Sequence, residues 1–405
     1  MSNRPQELLA QSVKRKGIIL TFEGFPETII ESQVIVHARE MKELGIELEL
    51  WTFDVFGKSY PASVASGERV KDQYGVCVRV FRGVRPVVPL SEFINSLLFL
   101  WKLLRLGKGI QIVRCRGEYG TVVAGIVGFL RKFELIWDCR GDTYWETRPR
   151  VCTGGLIKRS LGELYCELVA VRERLAGVLC DRAIFVSERL REVKRGQRGA
   201  DRSFVIPCSA PESLFYFSSE LRRTERKRLG YAESDCVFVY SGSINHYQCF
   251  EEAVSLVGKY MERDPRFRFL VLTPNTEKAR QLLKGLRADR VLLVSAKFEE
   301  INGYLNAADI GMFLRKPIQL NAVASPVKFA EYSLTGLSVI MSDAVEQCVA
   351  YAKAFGTYIE YEWEGMPIVP MMAESKRLVV AEKAAQTLGR KSQRKIFERL
   401  YGQCR

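Results

Sequence analysis

A chain of 405 residues with 47% hydrophobic and 27% charged residues has the composition of a globular protein, which excludes disordered and fibrous classes and leaves room for two or three domains. The 61 Lys and Arg against 47 Asp and Glu give +14, which favours acidic partners: nucleotide phosphates, anionic lipid headgroups or nucleic acid. Eleven cysteines without metal or disulfide spacing read as free thiols in a reducing compartment, and two histidines, His37 and His246, argue against a multi-histidine zinc site.

Residues 1–16 are polar and basic, without the apolar stretch of a signal peptide. No run reaches the roughly 18–20 uninterrupted apolar residues of a spanning helix, so the expected location is cytoplasmic. The first strand is predicted over residues 17–22, and the loop Glu23-Gly24-Phe25-Pro26-Glu27 follows. Thr28 and Glu31 form a capping box for a helix that runs to Leu44, with Gly45 as its stop. A second strand over 46–52 completes a parallel α/β unit that lacks the Gly-x-Gly-x-x-Gly of dinucleotide binding.

A strand is expected over 76–81. Residues 91–106 form an apolar helix with a basic end, which could lie on a membrane surface or pack on a sheet; the strand over 110–115 directly after it favours packing. Arg116 follows that strand at the end where open α/β sheets bind ligands. The strand over 133–137 ends in Asp138-Cys139-Arg140-Gly141-Asp142, a polar site or a loop ion pair. Arg140 stays protonated, so it cannot be a general base but can stabilise developing negative charge. Residues 143–154 read as a polar connector, 156–179 as a long helix, 182–186 as a strand, then a helix capped by Ser187 and a strand over 203–206. Two prolines in Pro207-Cys208-Ser209-Ala210-Pro211 mark a change of domain.

The alternation restarts with a strand over 236–240. The small loop after it holds Gly242 and Ser243, where backbone N–H groups can approach a phosphate or simply turn. Strands are predicted over 267–272, 291–294 and 310–314, with helices over 276–286 and 299–307 between them. Arg315-Lys316-Pro317 stands at the ligand-binding end of the last strand. A helix begins with Ser325 as N-cap and Pro326 as its first residue, stops at Gly336, and leads to the buried run Val339-Ile340-Met341. Lys328 lies in the first turn, where the helix dipole disfavours a cation by roughly 0.3–1 kcal/mol, and a bound anion would reverse that. Glu331 shares its face and could accept hydrogen bonds from sugar hydroxyls; an exposed Lys328–Glu331 pair is the plain alternative. Residues 374–405 form a basic helical tail.

The segment Ser325-Pro326-Val327-Lys328-Phe329-Ala330-Glu331-Tyr332 resembles the donor-site helix of family 4 glycosyltransferases, in the variant reading Ala-Ser-Pro-Thr-Lys-Phe-x-Glu-Tyr. Asp138 to Gly141 is similar to the Asp-x-Arg-Gly of the same subgroup, and Phe185-Val186-Ser187-Glu188 to its Ala-Val-Ser-Glu segment. The resemblance implies an α/β fold of two Rossmann-like domains facing a cleft (GT-B). Residues 1–207 would bind acceptor, 208–380 nucleotide-sugar, and the helical tail 381–405 would cross back to the first domain. It implies a diphosphate contact for Lys328, a ribose contact for Glu331, and Arg140, Lys328 and Glu331 as the catalytic group. Gly242, Ser243, Arg315, Ser325, Pro326 and Val327 complete the donor side; Gly24, Glu27, Arg116, Asp138 and Asp142 form the acceptor side. Departures are Val323, where the family has the first of two glutamates, and Ser243 and Gln248, where it has arginine and lysine; Arg315 and Lys328 are candidates to compensate.

The implied activity is retaining, metal-independent, hexosyl-type transfer from a nucleotide diphosphate-sugar to a glycan or lipid-linked acceptor in cell-surface polysaccharide synthesis. No cofactor beyond the donor is expected. Peripheral contact with an anionic membrane fits the charge. Nucleic acid is not an expected partner, because no basic cluster with interleaved aromatics is present. The alternatives are a catalytically degenerate nucleotide-sugar-binding protein and a nucleotide-sugar epimerase of the same fold.

Overall fold

The computed structural model describes residues 15–22, 34–55, 60–194, 202–363 and 365–402. The chain divides into two compact units. The first takes the residues up to Val186 with Leu190–Val205 and the end of the chain from Glu398; the second takes Ser187–Arg189 and Ile206–Phe397.

The first unit holds a sheet of seven strands among the described residues: β1 (Arg15–Thr21), β2 (Ile46–Asp54), β3 (Val78–Arg82), β4 (Ile110–Arg116), β5 (Glu134–Cys139), β6 (Arg182–Phe185) and β7 (Ser203–Val205). Their order is β3-β2-β1-β4-β5-β6-β7, and every pairing is parallel. The order reverses between β1 and β4, the point at which such sheets open a crevice beyond their C-terminal ends. Register puts Arg116 opposite Asp138 at that end. The helices Ser91–Leu106, Glu118–Gly128 and Leu156–Leu179 form a layer, with the short, almost wholly buried Glu118–Gly128 packed against both others.

The predicted helix over 28–44 appears in the described residues as Val36–Lys42. Its capping residues Thr28 and Glu31, and the acceptor-side candidates Gly24 and Glu27, lie outside the described residues. The polar connector expected over 143–154 contains a helix, Thr143–Val151, with Pro149 in its last turn. Asp142 supplies what its composition does not, as the N-cap that accepts from Trp145 N at 3.4 Å.

The second unit holds six strands: β8 (Cys236–Ser241), β9 (Phe267–Leu272), β10 (Val291–Val294), β11 (Ile310–Phe313), β12 (Ser338–Met341) and β13 (Tyr358–Glu360), in the parallel order β10-β9-β8-β11-β12-β13. Successive residues point to opposite faces, and both faces are apolar. Val237, Val239, Leu270, Leu272, Val339 and Met341 enter one core. Phe238, Tyr240, Phe269, Val271, Met312 and Ile340 enter the other. The helix Val327–Leu334 lies on the first core through Phe329, Ala330, Tyr332 and Leu334. It stops at Gly336, whose φ of +66° and contact with the Arg377 carbonyl leave no room for a side chain. The helix Glu374–Leu388 joins the same core through Val380, Ala384 and Leu388, and the helix Arg394–Tyr401 ends with Tyr401 buried in the first unit. Among the described residues no helix is long and apolar enough to cross a membrane.

Candidate functional site

In the second sheet the order reverses between β8 and β11, and the loops beyond these two strands carry Gly242 and Arg315. The helix Val327–Leu334 brings Lys328 to the same place. Its ammonium lies 4.2 Å from the ring centre of Tyr240, and a Cβ on Gly242 would fall 2.9 Å from Lys328 Cε. Gly242, at φ +125°, is required for its backbone angle, and the absence of a side chain leaves the space that the tip of the lysine fills. Tyr332 fixes the preceding residue by accepting from Ser241 N at 2.9 Å.

Arg315 is 5% exposed, and its backbone is clamped by Ser342 Oγ, which accepts from its N–H at 3.0 Å and donates to its carbonyl at 2.8 Å. Its guanidinium lies over the rings of Phe313 and Tyr247, at 5.2 and 5.8 Å. Asn321 ties this loop to the β8 loop by donating to the carbonyls of Lys316 and Tyr247.

Among the described residues Arg315 has no ion-pair partner, and Lys328 has only the Glu331 carboxyl near it, acting through space. Burial, then the nearby Arg315, push the Lys328 pKa well below its ordinary value. Burial also lowers that of Arg315, offset in part by Tyr240 and Tyr247. The Glu331 carboxyl, 8% exposed, is raised to about 7 by burial, with Lys328 opposing. Glu331 and Lys328 are thus not the exposed surface pair of the plain reading. Two desolvated cations stand beside a helix N-terminus whose first-turn N–H groups are satisfied only in part, Phe329 N donating to the Pro326 carbonyl at 3.1 Å, an arrangement that can take an anion.

Ser325 does not cap the helix. Its Oγ accepts from Cys208 N at 3.0 Å, the helix starts at Val327, and Pro326 occupies the cap position without a side-chain bond. Val323 is fully buried, with its carbonyl accepting from Ser187 Oγ at 2.7 Å, so its side chain offers a ligand nothing. Ser243 uses its carbonyl to accept from Tyr240 Oη at 2.6 Å. Gln248, with its amide turned to satisfy both ends, accepts from Arg315 Nη1 at 3.2 Å and donates to Tyr240 Oη. The guanidinium of Arg315 therefore meets the side chain of Gln248.

In the first unit Asp138 is buried between two arginines. One carboxylate oxygen accepts from Arg114 Nε and Nη2 at 3.0 and 2.6 Å, and the other lies 2.7 Å from Arg140 Nε. Burial alone would raise the Asp138 pKa, but Arg114, Arg140 and Arg116 together hold it below the usual carboxylate range. Arg114 also reaches His37 Nε2 at 2.7 Å and Tyr401 Oη at 2.8 Å. This network was not legible from spacing. Its one sequence signal is Arg114 itself, a lone cation in the apolar strand Ile112-Val113-Arg114-Cys115. Asp142 is buried as a helix cap and accepts from Lys194 Nζ at 3.0 Å, while Lys194 also pairs with Glu173 at 2.6 Å. Among the described residues no group of three or more His, Cys, Asp and Glu is arranged to hold a metal.

No family model and no curated protein matches this sequence. Solved structures do. The Anabaena protein HepE in complex with UDP aligns at TM-score 0.68 and 13% identity over 96% of this chain and 100% of that one. Sucrose-phosphate synthase from Thermosynechococcus elongatus aligns at 0.66 and 14% over 96% and 98%. A glycosyltransferase from Rickettsia africae aligns at 0.65 and 12% over 96% and 100%. Identities this low speak to the fold alone. With two parallel, doubly wound sheets in two units, the chain has the two-domain, Rossmann-like GT-B fold of these glycosyltransferases.

Proposed function

We propose that the protein is a glycosyltransferase whose second unit binds a nucleotide diphosphate-sugar. The observation that carries this reading is the buried pair Arg315 and Lys328, two cations that the single carboxyl of Glu331 offsets only in part, converging with the Gly242 loop at the switch point of the second sheet. A diphosphate supplies the missing negative charge, and Glu331 offers an acceptor to ribose hydroxyls. The HepE structures were determined with UDP and with UDP-glucose, which supports the same donor class here.

In this reading the bond from the anomeric carbon to the β-phosphate oxygen breaks and the acceptor hydroxyl oxygen joins that carbon on the same face. The hydroxyl proton passes to the departing phosphate. Arg315, Lys328 and the helix N-terminus hold the charge that develops on the diphosphate, without a metal. The first unit, with Arg116 and Arg140, serves a glycan or lipid-linked acceptor of cell-surface polysaccharide synthesis.

A second reading has one observation behind it, a likeness at TM-score 0.50 and 10% identity to a putative UDP-N-acetylglucosamine 2-epimerase from Listeria monocytogenes. Thermal shift against UDP-, GDP- and ADP-sugars separates the possibilities. A ligand at about 100 times its Kd stabilises by about 2.7 kcal/mol. Stabilisation by one nucleotide-sugar, followed by sugar transfer to an added acceptor, supports the proposal. Conversion of the sugar to its epimer without acceptor supports the second reading, and binding without turnover a degenerate protein. No stabilisation by any of them removes the donor site.

A further inference from the structure

The helix Leu156–Leu179 buries Gly162, Cys166, Val169, Arg172, Glu173 and Ala176 against its own unit. On the opposite side stand Ile157, Leu161, Leu164, Leu168, Val171, Leu175 and Val178, every one between 41% and 79% exposed. Their spacings alternate four and three without a break. That is a strict seven-residue repeat of two apolar positions, the seam of a coiled coil and not the broader stripe of a helix buried in a domain. It runs about 30 Å along the helix.

We propose that this seam is a self-association surface on which a second copy of the chain lays the same helix antiparallel. The flanking charges argue for a helix over a lipid bilayer. Glu167 borders the seam together with Lys158 and Arg174, and Glu163 stands one row farther out, paired with Arg159 at 3.3 Å, a mixture of signs suited to a partner helix and not to a uniformly anionic surface. The antiparallel alignment is also self-complementary. Placing Leu168 against Val171 of the partner subunit sets Leu164 against Leu175 of the partner subunit and Leu161 against Val178 of the partner subunit. That register, fixed by the apolar residues alone, brings Glu167 beside Arg174 of the partner subunit, and the two-fold axis repeats the pair. A parallel alignment would turn Glu167 toward the flank that carries Arg172, which is already buried against Glu92 of its own unit, and lose both pairs.

Sedimentation velocity of the full chain over the micromolar range tests this. A dimer is expected, and Leu164→Lys with Leu168→Lys should abolish it while leaving the far-ultraviolet spectrum unchanged and unfolding cooperative, with Tm lowered only by the lost association, because both side chains are exposed. Glu167→Arg alone and Arg174→Glu alone should each weaken dimerisation about tenfold, and the two together should restore it. A monomer throughout overturns the proposal, as does a dimer indifferent to the lysine substitutions. A combined charge exchange no better than either single change overturns the antiparallel register. A monomer that sediments with phosphatidylglycerol vesicles but not with phosphatidylcholine vesicles assigns the face to a bilayer and overturns the second copy as its occupant.

Discussion

Lys328 and Glu331 stand one turn apart on the helix Val327–Leu334, yet they act on one another only through space, with no hydrogen bond in either direction. Each carries a charge that its surroundings disfavour. The nearest cushion for the ammonium is the face of Tyr240, which offsets part of its lost hydration. Lys328→Met should therefore do two opposite things. It should raise the unfolding free energy of the ligand-free protein by about 1 kcal/mol, because a desolvated cation is replaced by an apolar chain of similar length. It should weaken nucleotide diphosphate binding by about 10- to 100-fold, the value of one charge-assisted hydrogen bond. Calorimetric melting and titration on the same samples check both; a loss of binding accompanied by a loss of stability would mean that Lys328 is a structural residue.

The raised carboxyl of Glu331 gives a pH signature. Its folded pKa of about 7 lies above the ordinary 4.5, so the folded state holds a proton that the unfolded chain has released in between. Stability from this group is complete below the unfolded value and declines as pH rises from about 4.5 to about 7. Glu331→Gln should flatten that decline in the ligand-free protein, seen as a smaller fall in Tm across this window. The same substitution should weaken nucleotide binding most above pH 7, where the wild-type carboxylate is charged and accepts best.

Arg315 and Gln248 meet at 3.2 Å, with the cation on β11's loop and the amide on β8's. If one positive charge at this point is what the ligand needs, its origin can be moved. Arg315→Gln should reduce diphosphate affinity about 10- to 100-fold, and adding Gln248→Lys should recover most of it. Gln248→Lys alone should lower stability, because two like charges then share a buried site. Affinity for inorganic pyrophosphate gives the readout free of any sugar preference.

Much of the frame was legible because apolar runs are long and punctuated. The helices Ser91–Leu106 and Leu156–Leu179 and the strands Phe267–Leu272 and Val291–Val294 match the periodicity reading residue for residue. The helix Thr143–Val151 was hidden because its few apolar residues keep no helical spacing and it holds Pro149, a residue that reads as a breaker. Ser325 looked like a cap because local pattern cannot show that its donor is Cys208, 117 positions earlier in the chain. Lys328 and Glu331 stood out as charges in an apolar helix, but their burial without a hydrogen bond between them is a tertiary fact. The exposed side of Leu156–Leu179 is the converse case, since periodicity gives two apolar faces and only the packing shows which one is spent.

The pair Arg114 and Asp138 tests whether the first unit's polar cluster is scaffold or site. Asp138 is 2% exposed and commits one oxygen to Arg114 and the other to Arg140. Its depressed pKa means that its stabilisation is present above the ordinary aspartate range and is lost only on strong acidification. Asp138→Asn leaves Arg114 buried without its counter-charge and should cost about 3–5 kcal/mol in urea unfolding. Arg114→Met with Asp138→Leu should recover most of that, because His37 Nε2 and Tyr401 Oη lie 3.2 Å apart and can partner each other once the arginine is gone. Kinetics on that apolar pair then separate the roles. If Asp138 is scaffold, KM for acceptor stays near the wild-type value once folding is restored. If the carboxylate orients Arg140 toward the acceptor, stability returns while KM rises, and the cluster belongs to the site.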